Sequence, residues 1–98
     1  MKQEVWYLYI LLCKGNTLYT GITNNVENRI QKHFAGIAAK YTKAHPPLLQ
    51  VYQERLANKS AAAKREREIK KWSRSKKIND LRLTLVDCVV QDKLPTVE

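Results

Sequence analysis

The nine residues Val5 to Cys13, "VWYLYILLC", contain no charged or amide side chain and run straight into the turn-forming "KGNT". Such a run is about half of what a bilayer span needs, and its bulky, apolar content suits a strand covered on both faces. Thr17 to Thr23 returns as a second segment rich in β-branched and aromatic types, so the two segments form a hairpin. Loop length then decides which side chains meet, because they alternate faces along a strand. A three-residue loop, Lys14-Gly15-Asn16, pairs Cys13 with Thr17, sets Leu11 opposite Tyr19 and puts Tyr9 on the Tyr19 face, diagonally across. A two- or four-residue loop separates the tyrosines onto opposite faces. Gly15 or Asn16 can take the left-handed conformation that three-residue hairpins favour.

After the hairpin, "TNNVENRIQKHFAG" offers Thr and Asn as N-caps, ends at Gly36, and spaces Val26, Ile30, Phe34 and Ile37 as the apolar side of a first helix. Arg29 and His33, four apart, share one flank of it. "AAKYTKAHPPLLQ" reads as an irregular basic connector broken by Pro46 and Pro47, and "LLQVYQERL" as a third strand with Leu49, Val51 and Tyr52 as its apolar content. "NKSAAAKREREIKKWSRSKK" reads as a second helix capped by Asn58 or Ser60, and "SKKINDLRLTLV" as a third helical stretch. This order predicts an α+β fold, a small three-stranded antiparallel sheet flanked by helices. Residues 1–88 are expected to form a single domain, with 89–98 as a C-terminal tail.

Lysine and arginine number 18 against 9 acidic residues, a formal net charge of +9 that points to an anionic partner, nucleic acid first. No apolar run reaches the roughly 18 residues of a membrane span and no secretory signal precedes the first strand, so no membrane partner is expected and the cytoplasm is the expected compartment. Cys13 and Cys88 lack metal-ligand spacing and read as small buried thiols. Candidate phosphate contacts are Lys32, Lys40, Lys43, Lys70, Lys71, Arg74, Lys76 and Lys77. Trp6 and Trp72 read as core, His45 as a loop residue and Asn79 as helix surface.

One acid is out of place. On the second helix the apolar stripe is Ala62, Ala63, Ile69 and, at its margin, Trp72; at about 100° per residue Glu66 falls inside it while Glu68 points to solvent. A carboxylate there needs a partner. The choices are an ion pair with Arg29 or a lysine, or a metal ion with oxygen chemistry such as Mg²⁺ or Mn²⁺.

Together these pieces resemble a known family. "YLYIL" followed by "LYTGIT" is similar to the two halves of the GIY-YIG nuclease signature, with Tyr9 at the first motif's tyrosine and Tyr19-Thr20-Gly21 at the second. "NVENRIQKHF", with Arg29 ten residues after Tyr19, resembles the helix that follows, and "REREIKKW" the later helix with the family's acidic metal ligand. The likeness spans about Val5 to Leu81 and is greatest to small stand-alone bacterial members of UPF0213 type. The first motif reads Y-L-Y rather than G-I-Y and the second Y-T-G rather than Y-I-G, which leaves Tyr7 as an alternative to Tyr9.

The resemblance implies metal-dependent hydrolysis of DNA phosphodiesters, in repair or processing. Tyr9 or Tyr19 would activate water, Arg29 would stabilise phosphate charge, and Glu66 would hold one divalent cation, Mg²⁺ or Mn²⁺. Tyr7, Gly21, His33 and Tyr41 stand as supporting residues, His33 as a proton carrier, a phosphate contact or a structural histidine. The implied partner is DNA, branched or nicked forms included, with RNA as a further candidate and a protein partner as one source of specificity. The alternative is a nucleic-acid-binding module of the same fold with weak or no catalysis.

Overall fold

The computed structural model describes residues 5–83. Within them three strands, β1 (Trp6–Cys13), β2 (Thr17–Thr23) and β3 (Pro47–Leu56), form an antiparallel sheet of order β2-β1-β3. Four helices accompany it: α1 (Val26–Phe34), α2 (Lys40–Ala44), α3 (Lys59–Lys70) and α4 (Arg74–Asp80). The chain is therefore α+β, as its pattern predicts. Cys88, the residues from 84 to the end of the third helical stretch, and the 89–98 tail lie outside the described residues.

The apolar run is the central strand, and both its faces are covered. Leu8 and Ile10 pack with Ile69 of α3 and with Leu18, Ile22, Val51 and Trp72 around them. Tyr9, Leu11 and Cys13 point the other way, against Tyr19 and Ile30 of α1. Leu12 meets Leu83, which closes the far end of the first layer. Each fully buried aliphatic chain here contributes roughly 1.5–3 kcal/mol of transfer free energy, which makes β1 the organising element.

The hairpin takes the three-residue loop. Cys13 pairs with Thr17, Leu11 with Tyr19 and Tyr9 with Gly21. Both Gly15 and Asn16 adopt positive φ, 87° and 61°, so the turn uses the two residues of the loop best suited to it. The loop's first residue is tied down as well, the Lys14 N–H donating to the Pro46 carbonyl at 2.7 Å.

Three local expectations change. The basic connector contains the five-residue helix α2, too short to leave a periodic signature in the sequence. The second helix ends at Lys70, and Ser73 starts a separate helix by accepting a hydrogen bond from the Lys76 N–H. On α1 the buried direction is offset from the expected one: Phe34 and Ile37 are 53% and 71% exposed, whereas His33 is fully buried. The covered face is Val26, Arg29, Ile30 and His33, a proper helical i, i+3, i+4, i+7 set with polar groups at two of its places. Asn25 caps this helix, its side chain accepting from the Asn28 N–H at 3.1 Å.

Candidate active site

Tyr9 is brought to β2 by an absence of side chain. Gly21 is its cross-strand partner, and a Cβ built there would lie 2.5 Å from the Tyr9 hydroxyl oxygen, 2.7 Å from its Cζ and 3.0 Å from Tyr19 Cε2. The phenol thus lies flat across the glycine, with its ring centroid 6.3 Å from that of Tyr19. Any larger residue at position 21 would displace it.

The Tyr9 hydroxyl meets His33 Nε2 at 2.6 Å, and His33 Nδ1 meets Thr42 Oγ1 of α2 at 2.8 Å. Thr42 donates its own hydroxyl proton to the Ala39 carbonyl at 3.3 Å, so its oxygen must accept from His33. The assignment that satisfies all of these groups puts the imidazole proton on Nδ1 and leaves Nε2 to accept from Tyr9. Burial, and then the positive charge of Arg29, lower the His33 pKa and keep the ring neutral. Burial pushes the Tyr9 phenol up to about 12, with the charges of Tyr19 and Glu66 adding to the rise while the hydrogen bond and charge of Arg29 oppose it.

Arg29 sits one turn before His33 and beside the Tyr9 hydroxyl. One of its Nη atoms reaches the Ala38 carbonyl at 3.5 Å, but its Nε is buried with no partner among the described residues. No carboxylate pairs with it among those residues either. A buried donor left unmade costs about 1–3 kcal/mol, so this Nε is a position at which an added acceptor would be favourable.

Glu66 arrives from the opposite layer. Its helix packs Ala62 and Ile69 against the far face of the sheet, yet the Glu66 charge raises the Tyr9 pKa. Its carboxylate, 22% exposed, accepts from Lys70 Nζ at 3.1 Å, one turn further on. The lysine partner, not Arg29, is therefore the ion pair made. Glu68 points to solvent as expected and pairs with Arg65.

Tyr9, Tyr19, Arg29 and His33 thus converge, with Glu66 within range of Tyr9's charge. Tyr7, on the same face of β1, takes no part in these hydrogen bonds or ring contacts. Tyr41 of α2 stacks on Tyr19, ring centroids 5.8 Å apart, and His45 stacks on Tyr41 at 4.5 Å. His45 is therefore part of an aromatic column rather than a bare loop residue, and Thr42 orients the buried histidine. The i, i+4 spacing of Tyr41 and His45 was the one sequence signal for the first; Thr42 left none.

The basic candidates divide by position. Lys32, Lys40 and Lys43 are exposed on α1 and α2, and the latter two border a shallow hollow of about 340 Å³ beside Gly36 and Ile37. Lys70 and Lys77 border a second hollow next to Tyr19 and Tyr41. Lys71 is exposed at the end of α3, Arg74 donates to the Asn16 carbonyl, and Lys76 lies over the Trp72 ring and pairs with Asp80.

The model of the GIY-YIG catalytic domain matches residues 5–79. The chain belongs to the GIY-YIG family. Relatives include a UPF0213 protein of Staphylococcus haemolyticus, 56% identical over 72 residues that cover 74% of this chain and 88% of that one. Another, from Natronomonas pharaonis, is 54% identical over 71 residues, 72% of this chain and 84% of that one. The solution NMR structure of a UPF0213 protein from Bacillus halodurans has the same fold, at a TM-score of 0.54 and 34% identity over 93% of this chain and 99% of that one. As a GIY-YIG domain, a nuclease type, the chain has a nuclease-type function and a nucleic-acid substrate.

GIY-YIG nucleases generally use a divalent metal, and the donors of this member can be tested against one. Among the described residues no group of three or more His, Cys, Asp or Glu could enclose an ion. Glu66 offers a single, partly exposed carboxylate whose ion-pair partner among the described residues is an i, i+4 lysine, a pair of about 0.3–0.5 kcal/mol. That suits Mg²⁺, which keeps several waters and is bound through one or two carboxylates plus substrate phosphate oxygens. Among the described residues no helix is long and apolar enough to cross a membrane.

Proposed function

We propose that this GIY-YIG domain hydrolyses DNA phosphodiester bonds with one divalent cation held by Glu66, in DNA repair or processing. The observation that supports the reading is Arg29: a half-buried arginine whose buried Nε has no partner, and whose guanidinium has no acidic one, among the described residues, with a tyrosine–histidine pair alongside. A scissile phosphate supplies the missing acceptor, and its negative charge is what the arginine stabilises as it grows in the transition state.

The proton path follows from the hydrogen-bond order. As water attacks phosphorus, its proton passes to the Tyr9 oxygen while Tyr9 hands its own to the bare Nε2 of His33, and the P–O3′ bond breaks with the departing 3′-oxygen taking a proton from solvent. Neither phenol need be a strong base, because the acceptor at the end of the path is a neutral imidazole. Tyr19, on the same face, orients the water. A divalent cation held by Glu66 would supply polarisation of the phosphodiester and charge stabilisation at the departing oxygen.

The high pKa of Tyr9 favours a second reading, a nucleic-acid-binding module with weak or no catalysis. A panel of single-stranded, duplex, flapped and branched DNAs, with RNA counterparts, incubated with Mg²⁺ or Mn²⁺ separates the two. Cleavage that requires added metal and vanishes in Glu66→Ala supports hydrolysis; salt-sensitive binding without cleavage on every member of the panel supports the module.

A further inference from the structure

Two consecutive residues of α2 reach the two tyrosines of the site, one directly and one through His33. Tyr41 stacks on Tyr19, its ring tilted by 25°. Thr42, 1% exposed, meets His33 Nδ1 at 2.8 Å, and His33 Nε2 meets the Tyr9 hydroxyl at 2.6 Å. The hydrolytic path uses His33 only at Nε2, so the hydroxyl at Nδ1 is a buried polar group with no part in that path.

This chain of hydrogen bonds can run in two directions, and they differ in what they leave unpaired. With the imidazole proton on Nε2, that N–H donates to the Tyr9 oxygen and Thr42 donates to Nδ1. The Tyr9 proton then has no acceptor among the described residues, on a side chain that is 0% exposed and whose oxygen faces a further donor in Arg29. A buried donor left unmade costs about 1–3 kcal/mol. With the proton on Nδ1, Tyr9 donates to Nε2, Nδ1 donates to Thr42, and Thr42 donates to the Ala39 carbonyl, so every proton has an acceptor.

The local backbone favours the second direction. Thr42 is the third residue of α2, where a threonine hydroxyl turns back on the carbonyl three residues earlier, and its β-branch restricts χ1. The hydroxyl is also a neutral acceptor. A carboxylate in its place would draw His33 toward the charged form, whereas burial and the charge of Arg29 keep the ring neutral.

We propose that Thr42 is a positioning residue: its hydroxyl holds the His33 proton on Nδ1, so that Nε2 is open to the proton Tyr9 gives up as water attacks. In that step the Tyr9 O–H bond breaks and an Nε2–H bond forms, while the proton from water restores the phenol. The imidazolium so formed keeps its Nδ1–H on Thr42, which steadies the new charge. The catalytic consequence rests on the hydrolytic reading, but the tautomer can be measured without any cleavage.

The chain has two histidines, so ¹⁵N labelling of histidine in the full chain gives few ring-nitrogen signals, and His45→Gln identifies those of His33. At neutral pH the expected His33 spectrum is that of a neutral ring with its proton on Nδ1. Thr42→Val, which keeps the shape and loses the hydroxyl, should move the proton toward Nε2. It should also slow single-turnover cleavage of a flapped DNA duplex in Mg²⁺ about 10–100-fold, the usual loss when a group orienting a functional side chain is removed, with DNA affinity unchanged within a few-fold. Thr42→Ser keeps the hydroxyl and should restore both tautomer and rate. A thermal melt identifies loss through unfolding, and if Thr42→Val does not fold the wild-type tautomer still decides. A proton on Nε2 in wild type, or a tautomer indifferent to Thr42→Val, overturns the proposal even if the protein cleaves DNA. So does a tautomer that moves while the rate stays the same. A Thr42-dependent Nδ1–H in a protein that cuts no DNA upholds the positioning and removes the hydrolysis.

Discussion

At the scale of single residues, the site turns on the buried pair Tyr9–His33. Tyr9→Phe leaves His33 Nε2 without its donor, which should cost about 1–3 kcal/mol of stability and, as a lost proton-transfer group, slow cleavage about 10²–10⁴-fold. Chemical denaturation and single-turnover kinetics measure the two effects. The pair also sets how stability responds to pH. His33 has a folded-state pKa below its ordinary 6.5, so the unfolded chain binds the proton first as pH falls, and the stability present above about 6.5 is lost on acidification below it. Tyr9 acts at the other end: from the ordinary 10.0 to about 12 the folded chain keeps a proton the unfolded chain has lost, so stability drops with rising pH through that window. Melting curves from pH 5 to 12 should show both flanks, and Tyr9→Phe should remove the alkaline contribution of this residue. That Tyr9 and Tyr19 share a face near Arg29 was legible from strand alternation and motif order, and that Glu66 conflicts with an apolar stripe from helical spacing. The partners of His33 were not, since its link to Thr42 depends on a helix of five residues that no periodicity announces.

Among the elements, the β1–β2 hairpin determines the geometry of the site. Its register was readable because a three-residue loop and the strict alternation of strand side chains leave one way to place both tyrosines together. One residue inserted between Gly15 and Asn16 should therefore abolish activity while leaving the helices largely intact, as activity and far-ultraviolet circular dichroism would record. Gly21→Ala is the gentler version. Its methyl group would collide with a phenol that is itself held at 2.6 Å by His33, so a stability loss of about 1–3 kcal/mol and a displaced Tyr9 are expected. The first helix was harder to read. An apolar stripe through Phe34 and Ile37 is what hydrophobicity alone selects, but the covered face passes through Arg29 and His33. Hydrogen-bonded polar groups occupy places where the pattern expects carbon, and the pattern slips by one residue in consequence. Glu66 is the same phenomenon on α3, where its conflict with the stripe was visible in the sequence.

For the whole molecule, the net charge of +9 and the split of the lysines around the β2 edge give the domain its anion-binding character. Binding should weaken steeply with salt, and each phosphate contact removed should reduce the slope of log affinity against log salt by about 0.7–0.9. Lys77→Gln is expected to produce such a step. Lys76→Gln is expected to produce a smaller one, because that side chain is occupied by Trp72 and Asp80. Titrations between roughly 50 and 200 mM salt discriminate the two. The central claim is that binding and cleavage are separable here, the basic surface providing the first and Glu66 the second. Its most direct test is the single-turnover cleavage rate of a flapped DNA duplex in Mg²⁺ or Mn²⁺, measured for wild type and Glu66→Ala beside the dissociation constant of each. The account predicts a rate at least about 100-fold lower in the variant with affinity changed only a few-fold. Cleavage that survives in Glu66→Ala, or a wild-type protein that binds the same DNA and never cuts it, would contradict it.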